Sequence, residues 1–133
     1  MTSDELRARS RQFAIAIVRL CRSLPADWIV RTVGGQLLRS GTSVAANYRA
    51  CGRARSDREF CSKIGLVAEE SDESLLWLEL LPHAAPSTQS NELEQLTNEA
   101  NELTAIFTAS HATAKRNLRK KKEQRRLERQ QRT

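Results

Sequence analysis

The chain predicts an all-α fold: an antiparallel up-down-up-down four-helix bundle with a basic C-terminal extension. Three observations lead there. Apolar residues recur at spacings of three and four in four separate segments. The links between those segments are short, which makes neighbouring helices antiparallel. Five Gly and three Pro among 133 residues are too few for a β protein built on tight turns. No alternating strand pattern or internal repeat competes.

The first segment places Leu6, Phe13, Ile17, Leu20 and Leu24 on one face, with Thr2 and Glu5 spaced as a capping box and Pro25 beyond its end. The second reads Ile29, Val33, Leu37, Ser40, Val44, Tyr48 and Cys51, with Asp27 as its N-cap and an end near Gly52. Gly34, Gly35 and Gly41 lie inside it, at about 1 kcal/mol each relative to Ala. Gly34, Gly41, Ala45 and Gly52 form a stripe of small residues that suits close approach of another helix, within the bundle or from another subunit. A third helix is expected to start at Ser56 and Glu59, a reciprocal S-x-x-E cap. Its inward face reads Phe60, Ile64, Val67, Ser71, Ser74, Leu78 and Leu81. Pro82 and Pro86 bracket the next connection. The fourth helix then carries Leu93, Leu96, Ala100, Leu103, Phe107, Ser110 and Ala114. Residues 1–114 thus form one bundle domain, large enough to hold a core without disulfide or metal. Residues 115–133 form a basic tail that either extends the fourth helix or stands apart from it.

Several classes are excluded or disfavoured. A spanning helix needs about 20 mostly apolar residues and no stretch approaches that. The opening MTSDELRARS has no signal-peptide apolar run, so a cytoplasmic location is expected. Cys21, Cys51 and Cys61 have neither C-x-x-C nor zinc spacing and read as buried reduced thiols. A di-iron bundle needs Glu-x-x-His on two helices. Neither His83 nor His111 has a Glu three residues before it, so no metal or other cofactor is expected. There is no phosphate-binding glycine loop, nucleophile elbow or Cys/His pair, and the chain does not read as an enzyme.

Charge is sorted along the sequence. Residues 27–55 hold five Arg against Asp27, whereas residues 56–114 hold Arg58 and Lys63 against eleven carboxylates. Residues 115–133 hold ten Lys/Arg against Glu123 and Glu128. On the second helix, Arg31, Arg39, Arg49 and Arg53 fall within a sector of about 80° at 100° per residue, a basic ridge opposite the apolar stripe. The terminal run offers Lys115, Arg116, Arg119, Lys120, Lys121, Lys122, Arg125 and Arg126 for phosphate neutralisation. An ordinary solvated face is the plainer reading of the ridge, and a solubilising tail that of the run. Glu70, Glu73 and Trp77 share a helix face, where the plain reading is an ion pair or hydrogen bond with nearby Arg or Asn groups.

The stretch from Gln36 to Leu81 carries three marks: Arg39, Ser40, Ser43, Val44 and Asn47; Ser56, Glu59 and Phe60; and Glu70, Glu73, Trp77, Leu78, Glu79 and Leu80. Together they resemble the bacterial four-helix-bundle family of 23S ribosomal RNA intervening-sequence proteins. That family includes the accessory variability determinants of diversity-generating retroelements. The likeness runs over about residues 6–110 and leaves the basic tail outside. It implies a four-helix protomer assembled as a homo-oligomer, commonly a pentamer. For retroelement members it also implies binding to a reverse transcriptase and its template RNA. No catalytic residues come with it. Ser43, Asn47, Glu70, Glu73 and Trp77 are then structural motif positions, and Ala50 departs from the Glu that many relatives carry. The expected function is an oligomeric, non-enzymatic binder of structured RNA. The alternative is a helical adaptor for another protein, with the tail merely electrostatic.

Overall fold

The computed structural model describes residues 1–133. The chain folds into α1 (Ser3–Arg22), α2 (Trp28–Cys51), α3 (Asp57–Ala84) and α4 (Asn91–Gln131), with one 3-10 turn, Pro86–Thr88, between the last two helices. Each helix packs on the next as an up-down bundle, and the α1–α4 seam closes the ring most thinly. Arg9 reinforces that seam, its Nε donating to Glu99 at 2.8 Å while its guanidinium also meets Glu102.

Local chemistry sets the helix starts. Thr2 and Glu5 cap α1 reciprocally. Asp27 accepts from the Val30 N–H at 2.9 Å, Ser56 from Glu59 N–H at 3.1 Å and Ser90 from Leu93 N–H at 3.2 Å, each satisfying an orphan donor of a first turn. The cap at Ser56 is one-sided, because the Glu59 carboxylate lies 3.5 Å from Arg55 instead of returning to Ser56. Pro82 does not end α3. Leu81 and Ala85 on either side of it are buried, and this packing carries the chain to Ala84 despite the proline's missing N–H.

The buried faces follow spacings of three and four. On α2 the buried residues Val30, Gly34, Leu37, Gly41, Val44, Tyr48 and Cys51 form an unbroken 4-3-4-3-4-3 series, with Ser40 buried beside it. It corrects the start of the expected face: Val30 is 1% exposed and Ile29 47%. On α3, Cys61 is buried where Phe60 was expected inward, and Phe60 at the end of the bundle remains 37% exposed. Ser10 fills the gap between Leu6 and Phe13 on α1, its hydroxyl donating to the Arg7 carbonyl at 2.9 Å. Between α2 and α3 the buried hydroxyls of Ser40 and Ser74 meet at 3.0 Å. Tyr48 packs on Phe107 with ring centroids 5.2 Å apart, linking α2 to α4 through the core.

Glycine sets the closest approaches. A Cβ on Gly34 would stand 2.8 Å from Leu24 Cδ1, and one on Gly41 2.9 Å from Ile17 Cγ1. Gly41 thus serves packing of α1 on α2, and Gly34 packing of the α1–α2 connection on α2, both inside the protomer. Gly35, by contrast, has nothing within 4 Å of such an atom. Gly35→Ala should therefore stabilise the fold by about 0.5 to 1 kcal/mol through helix propensity alone. Gly41→Ala should destabilise it by about 1 to 3 kcal/mol through overpacking against the branched Ile17. Urea unfolding of the two variants gives shifts of opposite sign.

Candidate nucleic-acid interface

The four arginines expected as a ridge do not act as one surface. Arg31 and Arg49 are exposed on α2 and have no carboxylate partner, but Arg53 lies in the turn beyond the helix. Arg39 turns toward α3, where its guanidinium pairs with Glu73 and lies 3.5 Å from Glu70. Trp77 Nε1 donates to the same Glu73 carboxylate at 3.3 Å. Two carboxylates on one guanidinium leave this spot net negative, unsuited to a phosphate. The contact with Glu73 holds Arg39 above the usual guanidinium value, and the Arg39 hydrogen bond holds Glu73 below the usual carboxylate range. Glu70 is 14% exposed, and its second oxygen is buried with no partner. Asn47 Nδ2 donates to the Ser43 carbonyl at 2.9 Å on the same side of α2. Arg39, Glu70, Glu73 and Trp77 therefore clasp α2 to α3, the ion-pair reading of those carboxylates.

The tail is different. Leu118 is half-buried against the core and holds the first turn of the extension. Beyond it α4 continues to Gln131 without interruption. At 1.5 Å per residue the 17 residues after Ala114 extend for about 25 Å. Lys115, Arg119, Lys122, Arg126 and Arg129 follow one another at spacings of four and three, so they line one face. Arg126 is bound to Glu123 on its own helix, and Arg116 reaches Thr113 Oγ1 at 3.2 Å. Lys120, on the far side of the arm, lines a separate cleft with Phe60 and Ala109.

Where the arm leaves the bundle, it runs past the first turn of α3. Lys121 pairs there with Asp57 and fastens the arm to that turn. Beside this pair lies a cleft of about 670 Å³ lined by Arg58 from α3 and by Lys115, Arg119, Lys122 and Arg125 from α4. None of those five cations has a carboxylate within ion-pair distance. Sequence reasoning had not singled out Arg58. Its signal was its sign, for it is one of two cations in an otherwise acidic segment.

Chemistry of other kinds finds no comparable assembly. No group of three or more His, Cys, Asp or Glu residues stands close enough to hold a metal ion. All three cysteines are free, Cys51 and Cys61 buried and Cys21 partly so. Burial pushes the Cys51 thiol up to about 11, away from the reactive thiolate. No helix is long and apolar enough to cross a membrane.

Fold and surface together define a small all-α bundle protein with a segregated basic arm. The sequence model of the 23S rRNA-intervening sequence protein family matches residues 4–109, and the chain belongs to that family. No curated protein matches it. Among solved structures it is similar to a protein of unknown function from the S23 ribosomal protein family of Bacteroides thetaiotaomicron, with 26% identity and a TM-score of 0.66. That match covers 80% of this chain and 97% of the other. The family match stops short of Lys115, so the arm lies outside it.

Glu73 gives a pH test of the clasp. Its carboxyl is held below the ordinary value of 4.5, so the folded state binds fewer protons than the unfolded one as pH approaches that value. Its contribution is complete above the unfolded value and is lost as pH falls through the lowered folded one. Glu73→Gln should thus lower the melting temperature at pH 7. The two sets of melting curves, followed by circular dichroism, should converge as pH falls through the lowered range of the Glu73 carboxyl.

Proposed function

We propose that the protein is an oligomeric, non-enzymatic binder of structured RNA, acting through its basic surface and above all through the α4 arm. The observation that carries this reading is the continuation of α4 as a helix whose cations have few carboxylates of their own chain to meet. Polyanion binding by such a surface is driven by release of counterions and needs no base recognition. Lys115, Arg119, Lys120, Lys122 and Arg125 supply the main contacts, with Arg31 and Arg49 on α2 as a secondary basic area. Arg39 acts in the clasp, while Arg116, Lys121 and Arg126 shape the arm.

The oligomer, a pentamer by the family resemblance, is supported by the outer face of α3. Leu66, Leu76 and Leu80 are 41%, 47% and 39% exposed there and fall within about 80° of one another. Repeated arms would multiply weak phosphate contacts into stable binding. A reverse transcriptase is the protein partner that the same resemblance implies for a retroelement member.

A salt titration of binding to a labelled structured RNA, comparing the full chain with one ending at Ala114, tests the RNA reading. The full chain should show a steep loss of affinity with salt, and the shortened chain a much flatter dependence. Absence of binding by either at moderate salt overturns it in favour of a protein adaptor. For the assembly, sedimentation equilibrium at physiological salt should give a multiple of the 15.0 kDa protomer, and a monomer would remove the oligomer from the proposal.

A further inference from the structure

We propose that the cleft between the first turn of α3 and the basic face of α4 is a clamp for the phosphodiester backbone of a nucleic-acid duplex, entered by one strand and read without base contacts. Arg58 forms one wall, and Lys115, Arg119 and Lys122 form the other. The inference rests on the RNA-binding reading and adds to it a location and a strandedness.

Location follows from which cations are uncommitted. Arg9 and Arg39 are neutralised by two carboxylates each. Arg58, Lys115, Arg119, Lys122 and Arg125 converge from two helices on one cleft and have none. Asp57 is the sole carboxylate lining it, and Lys121 already holds that group. Both walls are built before any ligand arrives. Ser56 caps the α3 turn, and the α4 wall is a continuous helix held to the core by Ala114 and Leu118 and to α3 by the Asp57–Lys121 pair. An anion entering the cleft thus meets positive charge that needs little reorganisation.

Strandedness follows from what the cleft lacks. Its only large apolar residue is Leu118, and residues 115–133 contain no Phe, Tyr or Trp. Single strands are held largely by bases stacked on aromatic side chains, and none lines this cleft; the half-exposed Phe60 lies in the neighbouring one, on the other side of the Asp57–Lys121 pair. A duplex keeps its bases stacked internally and presents phosphates outward, which suits a wall of Lys and Arg. The basic face continues past the cleft through Arg126 and Arg129, a rise of about 21 Å from Lys115. A duplex carries one charge per roughly 1.7 Å of axis, so that length offers more phosphates than the face has cations.

The test uses the full chain and fluorescence anisotropy with a labelled RNA stem, the single strand of the same sequence, and a DNA duplex of equal length. The stem should bind more tightly than the single strand. Equal binding to the DNA duplex would assign the clamp to duplex backbone in general, and tighter binding to the RNA stem would assign it to A-form geometry. Arg58→Gln should weaken stem binding, and the triple change Lys115→Gln, Arg119→Gln, Lys122→Gln should weaken it by at least about tenfold at 0.1 M salt, with a salt slope lower by about one per cation removed. Asp57→Asn removes the only carboxylate and frees Lys121, while Ala114 and Leu118 still hold α4 to the core. The gain in positive charge should outweigh the loss of an exposed ion pair and tighten binding, an effect that loss of structure would not produce. Arg31→Gln with Arg49→Gln, on the secondary basic area, is the comparison and should weaken binding by far less than the triple change. If the single strand wins, or if the α2 changes weaken binding as much as the triple change does, the clamp is overturned while RNA binding stands. If the unaltered protein binds none of the three probes, both readings are overturned together.

Discussion

The arrangement of this bundle depends on how closely its helices approach one another, and glycine decides that at three crossings. Gly34 admits Leu24 of the α1–α2 connection and Gly41 admits Ile17 of α1, and Gly65 admits the ring of His111, whose Nε2 would stand 2.7 Å from a Cβ there. A methyl group at any of the three would force the pair apart or displace a packed side chain. The last crossing has the widest consequence. It sets α4 against α3, and because α4 does not end at the core, the same closeness carries the arm past the start of α3. There Asp57 meets Lys121 and Arg58 faces Lys115 and Arg119. Packing inside the bundle thereby fixes where the basic cleft lies outside it.

Charge is divided by the same geometry into committed and uncommitted groups. The cations that lie along helix seams are taken up: Arg9 closes α1 on α4, and Arg39 clasps α2 on α3 with Glu70 and Glu73. The acidic excess of α3 and α4 is partly consumed in these contacts. Arg31 and Arg49 stay free on α2, but the free cations that converge lie at the end of the fold, where the one carboxylate in their cleft, Asp57, is already held by Lys121. A sequence whose charges are merely segregated thus becomes a surface whose free positive charge is local, and only the free part is available to a phosphate backbone.

The helices and most of their caps were legible in the sequence because hydrophobic periodicity and capping chemistry are local properties. The start of α2 was misread for a physical reason. Glycine carries no hydrophobic signal, so the true buried series through Val30, Gly34 and Gly41 was hidden, and the phase was taken from Ile29 and Val33 instead. Pro82 was read as punctuation, but burial of Leu81 and Ala85 outweighs its local preference. The arm's cations were legible as a charge run. Arg58 was not, since its part in the cleft depends on a contact across 57 or more residues that no local pattern encodes. The ridge on α2 failed in the opposite way, because a helical wheel places Arg39 on a face but says nothing of the Glu73 that captures it from α3.

The helical state of the arm bears directly on what it can do. Beyond Leu118 there is no core to hold it, and an isolated helix of this length is marginal in water. Two things favour it here. Nucleation has already occurred in the packed part of α4, so each added residue only propagates. The composition is also rich in Lys, Arg, Gln and Glu, with Arg126 bound to Glu123 one turn away. Opposing these is repulsion between like charges one turn apart, as at Lys115 with Arg119 and Lys122 with Arg126. A polyanion along that face removes the repulsion while leaving the propagation intact. Polyanion binding and helix formation in the part of the arm beyond the Asp57–Lys121 contact would thus be coupled with the same sign, each favouring the other.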